Sequence, residues 1–201
     1  PEVLKRFHAQ DYRDLQVWFN LVWIDPWLRR QDPVLTQLEA KGSHFTEADK
    51  QHVLDAQLRL MARIIPAYRD AARRGQVELI TSPYYHPIMP LLCEMRSAHV
   101  ALPELPLPET LFHHPEDARW HLTQALARHE AVFGQTPRGL WPPEGSVSED
   151  LVTLATEANL RWIATDEEIL WRTLKMAPTV AKRYRPFLLR RAQQDRELAI
   201  I

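Results

Sequence analysis

Gly139-Leu-Trp-Pro-Pro-Glu-Gly-Ser-Val-Ser-Glu-Asp-Leu-Val-Thr-Leu-Ala-Thr-Glu-Ala-Asn-Leu-Arg-Trp-Ile-Ala-Thr-Asp166 reads as strand, helix and strand in succession. Gly139 to Trp141 is short and apolar, which predicts a strand. Ser146-Val-Ser-Glu149 matches a capping box, in which the Ser146 side chain accepts from the third helical amide while Glu149 reaches back. A helix is predicted from there to about Asn159. Arg161 to Thr165 supplies the second strand, and Asp166 follows it directly. Two such strands joined through one helix make a parallel βαβ unit, so the stretch predicts an α/β sheet or barrel.

The flanks continue the alternation. Leu15 to Ile24 is a nearly unbroken apolar and aromatic run, the pattern of a strand covered on both faces, and Asp25-Pro26 ends it. From Glu47 to Arg74, Leu54, Leu58, Met61, Ile65, Tyr68 and Ala72 recur at steps of three and four. That spacing predicts an amphipathic helix, kinked at Pro66 and closed by Gly75. Val77 to Thr81 is read as a short buried strand, and the proline-rich stretch through Pro108 as a long loop. Pro115 to Phe133 is helical again, with Ala118, Leu122, Ala125, His129 and Phe133 on one side and Gly134 behind it. After Arg183 to Leu189 comes a charged segment, and Leu198-Ala-Ile-Ile201 reads as a strand just beginning. No internal repeat or low-complexity segment interrupts this order.

Composition narrows the function classes. A chain of 201 residues with 45% hydrophobic content can bury one substantial core, so one domain or part of one is expected. Its 25 Lys+Arg nearly cancel 26 Asp+Glu, which leaves no basic field to draw it to nucleic acid or an anionic membrane. A neutral, locally recognised ligand is favoured. The only cysteine, Cys93, has no partner for an internal disulfide, and no cysteine or histidine spacing matches a structural zinc site. No apolar run reaches the roughly 20 residues that span a bilayer, and Pro-Glu-Val-Leu-Lys at the start lacks a signal-peptide layout. A cytoplasmic chain is the expectation.

Glu144 and Asp166 stand 22 residues apart, about one short helix plus one strand. Each would then leave the C-terminal end of consecutive parallel strands, which lie about 4.8 Å apart. Carboxyl groups leaning from such ends suit the roughly 5 to 5.5 Å of a retaining glycosidase pair, and carboxyl carbons within about 7 Å are expected. The competing reading is that both carboxylates merely cap helices or solvate loops.

Longer segments weigh against that reading. Gly139 to Ser148 and Trp162-Ile-Ala-Thr-Asp-Glu-Glu-Ile-Leu170 closely resemble two catalytic segments of glycoside hydrolase family 57. Gly75-Gln-Val-Glu-Leu-Ile-Thr-Ser-Pro-Tyr-Tyr-His-Pro-Ile-Met-Pro-Leu-Leu92 resembles another block of that family in the same chain order. The resemblance covers most of the chain from about Leu15 onward. It implies a (β/α)7 barrel of TIM type, incomplete here, with Glu144 as nucleophile and Asp166 as general acid/base. It also implies α-glucan substrates, an amylase, glucanotransferase, branching or α-galactosidase activity, and no obligatory metal or other cofactor. The family's opening strand carries His-Gln-Pro, which does not occur in this sequence, and its last helical segment is missing too. Residues 1–201 are therefore expected to form a partial catalytic domain.

The remaining candidates each carry two readings. The resemblance places His86 in the site, where it would donate to a sugar hydroxyl, with Tyr85 beside it; alone it reads as a loop histidine. Trp141 is placed to stack a sugar ring, although a tryptophan ending a strand is more often core. Glu78, inside an apolar strand, needs a partner and is as readily a supporting group as a substrate contact. Glu167 and Glu168 are most simply helix-start charges. Two other functions compete: a metal-dependent polysaccharide deacetylase, for which Asp25, His86 and His99 are too scattered to form a ligand motif, and a non-catalytic glucan-binding protein on the same scaffold.

Overall fold

A computed structural model describes residues 6–189 and 197–201 and divides into two compact units, Pro1–Ala67 and Tyr68–Ile201. The first unit is helical: α1 (Ala9–Val22), α2 (Pro26–Gln31), α3 (Pro33–Lys41) and most of α4 (Glu47–Arg73). Asp25 and Asp32 accept from backbone amides at the starts of α2 and α3, each of which has proline at its first position, where no N–H is required. The Asp14 carboxylate takes the N–H groups of His44 and Phe45, each at 2.8 Å, and so pins the turn after α3 to α1. Val17, Leu21, Leu35, Leu38, Phe45, Val53 and Ala56 fill the core of this unit.

Leu15 to Ile24, expected as a strand, lies mostly in α1. A continuous apolar run has no period of its own, so packing chooses. Here Val17, Leu21 and Ile24, spaced four and three apart, are buried, while Leu15, Phe19, Val22 and Trp23 are exposed. The helix expected from Glu47 is present and runs through Pro66, but on a different face. Val53 and Ala56 are its buried residues, whereas Leu58, Met61, Ile65 and Tyr68 of the expected stripe are exposed.

In the second unit Gly75, at φ 69°, follows α4 as expected. The predicted buried strand at Val77 to Thr81 shrinks to one parallel bridge between Thr81 and Leu140, with Val77 and Ile80 exposed. A lone bridge supplies too few ladder bonds to order the preceding residues as a strand. The proline-rich stretch is not a plain loop: it holds α5 (Met89–Cys93), a 3₁₀ turn at Met95–Ser97 and α6 (Ala98–Ala101). Pro90 sits in the first turn of α5, where proline is tolerated. Next, α7 (Pro115–Phe133) buries Ala118, Leu122, Ala125 and His129 and ends at a left-handed Gly134, as predicted.

The remainder is β1 (Gly139–Leu140), α8 (Glu149–Glu157), β2 (Trp162–Ile163), α9 (Glu167–Leu174), α10 (Val180–Arg183), β3 (Phe187–Leu189) and β4 (Leu198–Ile200). The cap of α8 is Ser148, whose hydroxyl accepts from Leu151 N–H at 3.3 Å, and not Ser146. Ser146 instead closes the preceding turn through Ser146 N–H to Pro143 O. Strand order is β1-β2-β4-β3, with β1–β2 and β2–β4 parallel and β3–β4 antiparallel. The antiparallel β3 departs from the expected all-parallel order, and the charged segment at 190–196 lies outside the described residues. The architecture is thus mixed α/β with a mostly parallel sheet. Residues of α5, α7 and α8 cover Leu140, Ile163 and Leu198 of that sheet to form its core. Among the described residues, no helix is long and apolar enough to cross a membrane.

Cys93 is buried in this core, and its thiol is pushed up to about 11 by burial first and then by the Asp150 charge. Only the thiolate is a nucleophile. At pH 8 the native protein is expected to react with iodoacetamide at least about 10-fold more slowly than the urea-unfolded chain, since both the thiolate fraction and access are suppressed. Mass spectrometry of timed samples measures this, and equal rates would refute the buried placement.

Candidate functional site

β1 and β2 run in register, Gly139 opposite Trp162 and Leu140 opposite Ile163, and Ala164 N–H continues the ladder to Leu140 O at 3.1 Å. Both strands therefore deliver their following loops to the same edge of the sheet. After Leu140 the chain stays beside Thr81, through Trp141 N–H to Thr81 O at 2.8 Å. It then enters a 3₁₀ turn at Pro143–Gly145, in which Glu144 takes φ 55° and ψ 20° and Gly145 takes φ 66°. Glycine accepts that region freely, but a residue with a Cβ loses about 1–2 kcal/mol there.

The surroundings hold Glu144 in this conformation. Pro142 and Pro143 are fully buried, and Gly145 N–H and Ser146 N–H bond back to their carbonyls, each at 3.0 Å. The Thr165 hydroxyl donates to Gly145 O at 2.7 Å. A methyl at Gly145 would lie 3.3 Å from the backbone nitrogen of Asp166, so these two backbones are pressed together. Strain at a non-glycine residue persists where its neighbours over-determine it, and such residues cluster at functional sites.

Asp166 is the N-cap of α9, accepting from Glu168 N–H at 2.8 Å. The capping role weighed from the sequence is real for this residue. Its neighbours are otherwise committed: Glu167 pairs with Arg183 at 2.5 Å and Glu168 with Arg172 at 3.6 Å. Glu144 and Asp166 are both exposed. Two solvent-reachable carboxylates thus stand on loops stitched together by the Thr165–Gly145 bond.

The other candidates separate by position. Trp141 is 47% exposed and so is not a core residue. Through the Thr81 bridge, the loop at residues 82–86 leaves the same edge of the sheet. There His86 has φ 57° and its Nδ1 shares a 3.0 Å hydrogen bond with the Ser82 hydroxyl, while Tyr85 is 73% exposed. Glu78 lies elsewhere. It precedes Thr81 by three residues and accepts from the Trp162 indole N–H at 2.8 Å, toward the entry end of the strands. That indole covers Gly139 so closely that a Cβ there would come within 2.3 Å of it. The geometry makes Glu78 a partner of Trp162, apart from the two carboxylate loops.

Two features escaped sequence reading. Thr165 gave no signal, since a threonine at a strand end is ordinary. Trp120 and His121 of α7 meet the 82–86 loop: Tyr84 N–H donates to His121 O at 3.2 Å and Tyr85 N–H to His121 Nδ1 at 3.4 Å. A tryptophan outside the buried positions of α7 was the available clue. Of the alternative metal set, Asp25 caps α2 and His99 Nε2 meets Leu105 O at 2.9 Å. Among the described residues, no three or more His, Cys, Asp or Glu side chains converge to hold a metal.

A family model described as glycosyl hydrolase family 57 matches residues 1–200. Comparison with curated proteins found no match. Among solved structures, the chain is similar to the α-amylase AmyC from Thermotoga maritima, with TM-score 0.53 and 13% identity, covering 95% of this chain and 32% of that one. It is also similar to a GH57 branching enzyme from the hyperthermophilic archaeon Thermococcus kodakaraensis, with TM-score 0.52 and 17% identity over 95% of this chain and 34% of that one. A GH57-type branching enzyme from Pyrococcus horikoshii gives TM-score 0.50 and 16% identity over 95% and 32%. The chain spans about a third of the length of these structures, and the likeness is one of fold.

The turn geometry sets a test. Glu144→Gly removes a left-handed Cβ and should raise stability by about 1 kcal/mol, because among the described residues no hydrogen bond or ion pair of the Glu144 side chain offsets the backbone cost. Urea unfolding measures it, and a loss of stability would show that the Glu144 side chain supports the fold.

Proposed function

The chain belongs to glycosyl hydrolase family 57, and from that premise we propose that it forms part of a retaining glycosidase or transglycosylase acting on α-glucans. The observation that carries this reading is the strained Glu144, held by the Thr165–Gly145 bond on a turn packed against Asp166.

Glu144 attacks the anomeric carbon as the glycosidic bond breaks, forming a covalent glycosyl-enzyme. Asp166 gives its proton to the departing oxygen. It then takes a proton from the incoming hydroxyl, of water for hydrolysis or of a second sugar for transfer, whose oxygen displaces Glu144. Net configuration is retained because each step inverts it. In this reading the described sheet is the portion of a (β/α)7 barrel that carries the two carboxylates, consistent with catalytic groups gathering at C-terminal strand ends. His86 and Trp141, on the same edge, are the nearest candidates to meet the sugar, the first as donor and the second as stacking surface.

The two carboxylates should fail differently in the whole protein. Glu144→Ala is expected to lose at least about 1,000-fold in kcat on every substrate, with partial rescue by azide to a glycosyl azide of inverted configuration. Asp166→Ala should retain more activity on aryl glycosides, whose leaving groups need little protonation, than on glucans, and its azide product should keep configuration. Rates and product anomers by NMR, with and without a chelator, decide. Swapped phenotypes would reverse the assignment, and full glucan turnover by Glu144→Ala would overturn it.

A further inference from the structure

Beside the carboxylate loops lies an aromatic surface that the mechanism does not use. Tyr84 and Tyr85 lie 4.8 Å apart between ring centroids and meet Trp120 of α7 at 5.9 and 6.2 Å. The His121 ring closes the group, 5.7 Å from Tyr85 and 5.2 Å from Trp120. Core aromatics in such contact would be hidden, yet Tyr84, Tyr85 and Trp120 are 43%, 73% and 47% exposed. Clustered large aromatics held at the surface mark a recognition site rather than packing.

The cluster is also built rigidly. Its two tyrosines come from a loop whose amides are tied to His121 by the bonds from Tyr84 and Tyr85, so α7 sets the rings in place. Tyr85 and Trp120 are inclined by 34°, nearer to a shared face than the other pairs, which stand at 62° to 85°. Tyr85 follows Thr81 by four residues, a span of at most about 14 Å of extended chain, and Thr81 is bonded to Trp141 beside the Glu144 turn. The platform therefore sits on the same edge of the sheet as the carboxylates, but off the turn that carries Glu144.

We infer that Tyr85 and Trp120 form an accessory subsite that stacks a glucosyl ring of the α-glucan away from the bond being cut. A pyranose ring presents an apolar face of C–H groups rimmed by hydroxyls. It matches a ring surface that offers apolar area with phenol and indole donors at its rim. An anionic membrane is less well matched, since the chain carries a net charge of −1 and has no basic excess to hold it. The inference rests on the α-glucan reading above and deepens it, because a distant stacking contact makes affinity depend on glucan length.

In the whole protein, Trp120→Ala should raise KM for maltoheptaose about 10-fold, the loss of one good aromatic contact, with a progressively smaller effect down to maltotriose and kcat altered less than about 2-fold. Trp120→Phe should recover most of the affinity. A KM unchanged at every length, or an equal fall of kcat/KM at every length, would overturn the subsite. Binding is followed separately by tryptophan fluorescence with maltoheptaose in a Glu144→Gln background. If the wild type does not turn over α-glucans yet maltoheptaose binding still requires Trp120, the catalytic reading fails and the subsite stands. If turnover is present and binding ignores Trp120, the subsite alone fails.

Discussion

Two residues from β1 and two from β2 set the geometry on which everything else depends. Their parallel register, Gly139 opposite Trp162 and Leu140 opposite Ile163, places the Glu144 turn and Asp166 at one level of the sheet. A ladder this short cannot hold itself in water. It is held by helices laid over it, where Leu122 of α7 and Leu151 and Leu154 of α8 pack with Leu140 and Ile163. A slip of one residue would turn Leu140 and Ile163 out of that core and part Gly145 from Thr165, so hydrophobic burial and the site's geometry specify the same register.

Asp166 is asked to serve two ends. It closes the first turn of α9, a cap whose removal typically costs about 1 kcal/mol, and in the proposed mechanism it is also the acid. Of the three consecutive acidic residues, Glu167 faces Arg183 and Glu168 faces Arg172. The local charge pattern is therefore partly structural, and only the residue nearest the strand is left beside Gly145.

How much of this could be read from the residues depended on whether a signal was local. The α7 pattern was plain, since its buried positions recur every three or four residues and a glycine stops it. So were β1 and β2, because glycine, proline and acidic residues punctuate them. Leu15 to Ile24 misled because unbroken apolarity has no period, and only contact with Phe45 and Val53 chooses the helix. Ser146 and Ser148 both precede Glu149 within reach of a cap, and the Pro143 turn decided between them. Glu78 was recognised as needing a partner, but its partner, Trp162, is 84 residues away. The left-handed backbone of Glu144 and the meeting of Tyr85 with Trp120 are products of tertiary packing, with no counterpart in the order of residues.

The strained turn also bears on how such a chain would drift. A position that favours glycine by its backbone, but holds glutamate, is kept against a local slope in stability. Under relaxed selection, a one-base change from a glutamate codon to a glycine codon would be both available and favoured. On the proposed role of Glu144, copies freed from that chemistry should shed the carboxylate at 144 before they lose the fold. If Glu144 is the nucleophile proposed above, the residue at 144 would record, in any descendant of this protein, whether that reaction is still under selection.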